Sequence, residues 1–196
     1  MQAAQRHYTV DEYFQVEAMS PVRHEYFEGE ILAMAGGSAN HNRISRNVLL
    51  SLEPQLRKGR CESLGPDTRI LTASGLYTYP DAVVICGPLL ASGDRPDTIT
   101  NPTVLIEVLS PSTRDYDRGG KFELYRSIPT FREYLLIEQH VVDVEHRWRD
   151  GEEWSSKRAT SLQDVIRLNS IGVELHVAEL YARVTLNSMD EGQHYR

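Results

Sequence analysis

The chain of 196 residues is long enough to bury one sizeable core, and its 40% hydrophobic and 25% charged content is that of an ordinary soluble globular protein. A net charge of −7 argues against a protein that coats nucleic acid non-specifically, although arginines and lysines gather at 43–60 and again at 114–132. No apolar run approaches the ~20 residues of a spanning helix, and the first residues lack a basic-then-apolar signal pattern, so a cytoplasmic protein without membrane association is expected.

Thr9-Val10-Asp11-Glu12 reads as a capping box opening a short helix that Pro21 must end. His24 to Met34 reads as two short strands around a turn at Glu28-Gly29, with Glu28 and Glu30 solvated. After the loop Gly36-Gly37-Ser38, the segment Asn40 to Arg57 carries Ile44, Val48, Leu52 and Leu56 at four-residue spacing. This predicts an amphipathic helix, with Pro54 kinking or breaking it near Leu50 to Ser51. Strands are predicted around Cys61 to Leu71, at Tyr79 to Cys86 and at Thr103 to Leu109, with an exposed loop from Gly87 to Asn101.

Ser112-Thr113-Arg114-Asp115 is a second capping-box candidate, leading to a helix that reaches about Ser127 despite Gly119-Gly120. Strands at Arg132 to Glu138, Val141 to His146 and near Trp154 to Arg158 follow, the last two joined by a turn at Asp150-Gly151. Ile171 to Val184 should hold a last strand and a short helix, with a frayed polar end beyond Leu186. Without repeats or a Pro/Gly/Ser linker the chain reads as one domain of mixed α/β (α+β) class. It comprises an N-terminal helix and hairpin at 8–35, a core at about 40–140 and a β-rich extension at 141–184. Cys61 and Cys86, far apart in sequence, read as reduced core residues.

The chemistry is carried by two acids set in apolar strands: Asp81 opens Asp81-Ala82-Val83-Val84-Ile85, and Glu107 nearly closes Val104-Leu105-Ile106-Glu107-Val108-Leu109. A buried carboxylate is costly unless paired or bound to metal. If these strands are antiparallel neighbours, the start of one lies beside the end of the other, and the two carboxylates meet at one end of the sheet. Carboxylates with a backbone carbonyl suit Mg²⁺ or Mn²⁺. Lys121, early in the next helix, can reach the same end and stabilise a phosphorane or orient water. The plainer reading is that Glu107 pairs with an arginine and that Asp117 and Lys121 form a helical i,i+4 pair. His41, at the start of the amphipathic helix, either caps it or faces a cleft. No His-Glu-x-x-His, Gly-x-Ser-x-Gly, P-loop or Gly-x-Gly-x-x-Gly pattern occurs.

Several blocks in one order resemble the Uma-two family of restriction-endonuclease-like proteins. They are Glu25-Tyr26-Phe27-Glu28-Gly29-Glu30-Ile31, Met34 to Ile44 with Gly36-Gly37-Ser38 and Asn40-His41-Asn42, Tyr79-Pro80-Asp81-Ala82-Val83-Val84, Asn101 to Thr113, and Asp117-Arg118-Gly119-Gly120-Lys121-Phe122. The resemblance runs from about Tyr8 to Val184. It implies the PD-(D/E)XK superfamily, whose core runs helix, three strands, helix, strand. Pro80-Asp81 and Glu107 then match the superfamily's acids. Leu109 stands where the basic pattern has lysine, and Lys121 is the replacement on the following helix. His41 holds the place of an additional polar active-site residue.

The resemblance thus implies a Mg²⁺- or Mn²⁺-dependent endodeoxyribonuclease with catalytic Asp81, Glu107, Lys121 and His41. Asp81, Glu107 and the Val108 carbonyl would hold the metal, and Arg43, Arg46 and Arg118 would contact DNA phosphates. Duplex cleavage needs two such sites, hence an expected homodimer. Two alternatives stand beside it: a catalytically inactive nuclease-fold module that binds nucleic acid or a protein partner, and a metal-dependent hydrolase of another phosphoester.

Overall fold

The structure, a computed structural model, describes residues 6–93 and 95–187; the end expected to fray lies, past residue 187, outside them. Helix α1 (Val10–Met19) carries the predicted capping box, Thr9 and Glu12 bonding reciprocally. The hairpin β1 (His24–Phe27) and β2 (Glu30–Ala33) turns through positive φ at Glu28 (48°) and Gly29 (86°), the left-handed pair of a two-residue hairpin turn. Both Glu28 and Glu30 are exposed.

Helix α2 (Ala39–Leu56) runs through Pro54 as one element, so of the expected kink or break near Leu50 to Ser51 the break does not occur. The hydrogen bond that proline forfeits would go to the carbonyl of Leu50, a residue 63% exposed, where water can replace it. Next come β3 (Cys61–Leu64), β4 (Arg69–Leu71), β5 (Tyr77–Thr78) and β6 (Ala82–Cys86). The predicted exposed loop then holds two strands, β7 (Ala91–Ser92) and β8 (Arg95–Ile99). β8 pairs in parallel with β4 only at Thr98 and Ile99, so Pro96 falls outside the ladder between these two strands.

The wholly buried strand β9 (Pro102–Leu109) leads into two short helices, α3 (Arg114–Arg118) and α4 (Gly120–Arg126), in place of one. The break is at Gly119, with φ −115° and ψ −93°, and Thr113 makes no side-chain cap. The Thr113 hydroxyl instead lies 2.9 Å from that of Ser110. The equally buried β10 (Glu133–Glu138) is followed by β11 (Val144–Asp150), β12 (Glu153–Ala159), β13 (Val165–Leu168), β14 (Val173–His176) and α5 (Val177–Leu180). Of these, β13 was not predicted.

Among the described residues the main sheet has the order β12-β11-β10-β9-β6-β3. α2, the antiparallel trio β3, β6 and β9, the α3–α4 pair, and β10 parallel to β9 reproduce the expected order helix, three strands, helix, strand. Side chains alternate between its two faces. Val84, Val104, Ile106 and Leu135 pack with Ile44, Val48 and Leu52 of α2. Val83, Leu105, Leu109 and Leu136 pack with Phe122 and Tyr125 of α4. The N-terminal hairpin belongs to a second sheet, β2-β1-β5-β4-β8-β7.

The cysteines are corrected too. Cys61 and Cys86 stand directly opposite each other across β3 and β6, Cα atoms 4.0 Å apart, and form a disulfide. Antiparallel pairing erases their distance in sequence.

Candidate active site

Pro80 and Asp81 lie between β5 and β6 at the end of the main sheet. The β6–β9 register begins at Ala82↔Ile106, so one further step sets Asp81 against Glu107. The backbone N–H of Val108 donates to Asp81 Oδ2 at 2.7 Å, so the carboxylate closes the ladder where the strand pairing stops. The other oxygen, Oδ1, lies 2.6 Å from His41 Nε2.

His41 is set by its own helix start. Ser38 caps α2, accepting from the His41 N–H at 3.1 Å, and Asn40 donates to the Gln139 carbonyl at 3.0 Å, tying the helix to the end of β10. The ring also needs Gly37, where a Cβ would come within 2.7 Å of His41 Cδ2. Burial disfavours the imidazolium, but the hydrogen bond and charge of Asp81, with the charge of Asp117, outweigh it and raise the His41 pKa above its usual value.

Glu107 points toward α4. Its Oε1 accepts from the Tyr125 hydroxyl at 2.6 Å and lies 3.0 Å from Lys121 Nζ. Lys121 is only 3% exposed. Its ammonium also lies 2.8 Å from Glu25 on β1 and 3.5 Å from Asp117. Asp117 and Lys121 are indeed an i,i+4 pair, but a buried one within a larger cluster. Burial opposes the lysine's charge, yet Glu107, Glu25 and Asp117 together hold its pKa well above the usual lysine value. Burial pushes Glu107 up; Lys121 pulls it back, while Asp117 and Asp81 push it further, and the net is about 8. Burial likewise raises Asp117.

The structure therefore joins the four candidates as two linked pairs, Asp81 with His41 and Glu107 with Lys121, at one end of the sheet. Glu25, Asp117 and Tyr125 complete the cluster; the sequence offered Asp117 only as the helical partner of Lys121, and Glu25 and Tyr125 were not singled out. Glu25 lies on the N-terminal hairpin and Tyr125 looks like any core aromatic. Only the Glu25-Tyr26 block of the family resemblance pointed toward the hairpin. Of the arginines, Arg46 on α2 is exposed and Arg43 half-buried, its guanidinium on Asn40 Oδ1 at 3.2 Å. Arg118 is turned toward Glu138 and Glu145, at 3.2 and 3.5 Å.

Among the described residues no three His, Cys, Asp or Glu side chains form a ready metal-holding group. The chemistry of the donors nonetheless fits a hard divalent cation. Glu25, Asp81, Glu107 and Asp117 outnumber the basic groups they face, Lys121 and His41, and after burial the charges of Asp117 and Asp81 add to the rise of Glu107. Also among these residues, no helix is long and apolar enough to cross a membrane.

Residues 10–178 match the Uma2 family, described as "Putative restriction endonuclease". The uncharacterized protein slr1290 of Synechocystis sp. is 40% identical over 176 residues, covering 87% of this chain and 90% of its own. The uncharacterized protein sll1609 of the same organism is 38% identical over 148 residues, covering 74% and 84%. The fold is shared with the crystal structure of a "putative nuclease belonging to DUF820" from Anabaena variabilis. The TM-score is 0.71 at 17% identity, over 88% of this chain and 97% of that one.

Proposed function

Because the chain belongs to the Uma2 family, whose fold is restriction-endonuclease-like, we propose that it is a divalent-metal-dependent endonuclease hydrolysing DNA phosphodiester bonds. The observation that carries this reading is the buried Lys121 ammonium 3.0 Å from Glu107, at the sheet end where Asp81 meets Val108 and His41. Asp81, Glu107 and the Val108 carbonyl would hold Mg²⁺ or Mn²⁺. When bound, such an ion supplies Lewis-acid charge stabilisation and a more acidic water. Lys121 presents a fixed positive charge toward the scissile phosphate, and its desolvated surroundings strengthen that charge. His41, bonded to Asp81, orients that carboxylate and carries a proton at Nε2. Glu25 and Asp117 position Lys121. Arg43 and Arg46 would meet DNA phosphates along α2. The nuclease-like core is taken as residues about 40–140, acting in the cytoplasm as a homodimer that brings one site to each strand.

A second reading is an inactive nuclease-fold module, favoured by the enclosure of Lys121 among three carboxylates. Incubation with plasmid and with single-stranded DNA, with and without Mn²⁺, separates the two. The enzyme reading requires metal-dependent nicking or cutting by the wild type that Asp81→Ala abolishes. Binding without cleavage across metals and substrates would favour the module.

A further inference from the structure

Beside the acidic cluster lies a basic one on the same face of the sheet. β9 and β10 are parallel with Glu107↔Leu136 and Leu109↔Glu138 in register, so Glu107 and Glu138 project to one side on neighbouring strands. Two residues along a strand and one strand across place them about 8 Å apart. The helical segment that gives Lys121 to Glu107 gives Arg114 and Arg118 to Glu138, by one Nη2 contact each at 2.8 and 3.2 Å.

The arginines are not saturated. A guanidinium carries five donors. The Nε of Arg114 is buried without a hydrogen-bond partner, and that of Arg118 faces Glu145 at 3.5 Å without making one. With Arg147, 2.6 Å from Glu145, three arginines meet two glutamates. The Arg114 side chain is 40% exposed, so part of its guanidinium beyond the Glu138 contact can be approached from solvent. An acidic cluster suited to a cation thus adjoins a net-positive cluster suited to an anion, one phosphate step away.

We propose that Arg114 and Arg118 anchor the non-scissile phosphate next to the one being cut, with Glu138 holding the two forks in place. This deepens the nuclease reading and rests on it. The substrate is a strand with consecutive phosphates, not an isolated phosphoester, because an isolated ester leaves the arginine pair empty. Fork-shaped donors matched to phosphate oxygens are the feature that arginine supplies and lysine does not.

The test uses trinucleotides with two linkages, either both phosphodiesters or one replaced by a neutral methylphosphonate. With Mn²⁺ the wild type should cut the phosphodiester of the fully charged substrate on the order of tenfold faster than that of the half-neutral one. Arg114→Gln should erase that difference, and Arg114→Lys should restore part of it. In Arg114→Gln, Arg118 still pairs with Glu138, so the buried acid is not stranded. Without metal, the dependence of oligonucleotide affinity on salt should fall by about 0.7 in logarithmic slope for Arg114→Gln. Equal rates on both trinucleotides, or an unchanged salt slope, would overturn the anchor. A wild type that cuts nothing would instead overturn the nuclease reading, and the salt slope would still decide the anchor.

Discussion

The Lys121 ammonium lies 2.8 Å from the Glu25 carboxylate, so the N-terminal hairpin closes onto the lysine of α4. Glu25 is itself fixed by the Thr78 hydroxyl, which donates to it at 2.5 Å from β5 of the second sheet. This buried charge cluster bridges the two sheets, beside the apolar packing of Ile70 and Ile99 against Val83 and Leu105.

Loss of the lysine should therefore be a stability event as well as a catalytic one. An exposed i,i+4 pair would cost no more than ~0.5 kcal/mol. Lys121 is buried among three acids, so Lys121→Ala strands them and should lower the unfolding free energy by about 3 kcal/mol, read by urea denaturation at pH 7. A loss below about 1 kcal/mol would show that the acids are solvated once the lysine is gone.

Divalent cations should stabilise the wild type more than Glu107→Gln. The charge of Asp81 adds to the burial that raises Glu107, so the site gains from a shared cation, and ligand binding to the native state raises the melting temperature. Equal shifts with Mg²⁺ or Mn²⁺ in the two proteins would remove Glu107 from the metal site.

The cation effect should grow with pH. Glu107 is raised from 4.5 to about 8, so in the cation-free protein its contribution to stability is full below about pH 4.5 and is lost as pH rises through about 8. His41, also raised, changes in the same direction. Lys121 stays charged throughout this window. A cation needs the carboxylate form, so the Mn²⁺-induced rise in melting temperature should increase from about pH 5 to about pH 8. A pH-independent rise would contradict Glu107 as a ligand.

The disulfide should matter for stability and not for chemistry. It links β3 to β6 on the α2 side of the molecule across a separation of 25 residues. Replacing Cys61 and Cys86 by serine should cost about 3 kcal/mol and leave the cleavage rate within a few-fold. A comparable loss of rate in the folded variant would tie the staple to the position of Asp81.

The core order and the register of the site were legible in the sequence because the signals were local and periodic. Ile44, Val48, Leu52 and Leu56 define the face of α2, and the acids stand at opposite ends of two apolar strands that pair antiparallel. Pairings between distant segments were not legible. Neither the disulfide nor the Glu25–Lys121 contact has a local signature. The β7–β8 segment was hidden by the turn-forming residues around Pro96, and Pro54 misled because solvent can meet the carbonyl it leaves bare. His41 was read as either a cap or a cleft residue. The structure gives the capping to Ser38 and the ring to Asp81.

The most direct measurement is the single-turnover cleavage rate of DNA with Mn²⁺ for the wild type and Glu107→Gln, alongside their DNA affinities. Glutamine keeps an acceptor for Tyr125 but removes the charge facing Lys121. The rate should fall at least about 100-fold, as expected for the loss of a group that stabilises charge in the transition state, while affinity stays within a few-fold. Cleavage by Glu107→Gln at the wild-type rate, or tight DNA binding by a wild type that never cleaves, would contradict the assignment of this cluster as a nuclease active site.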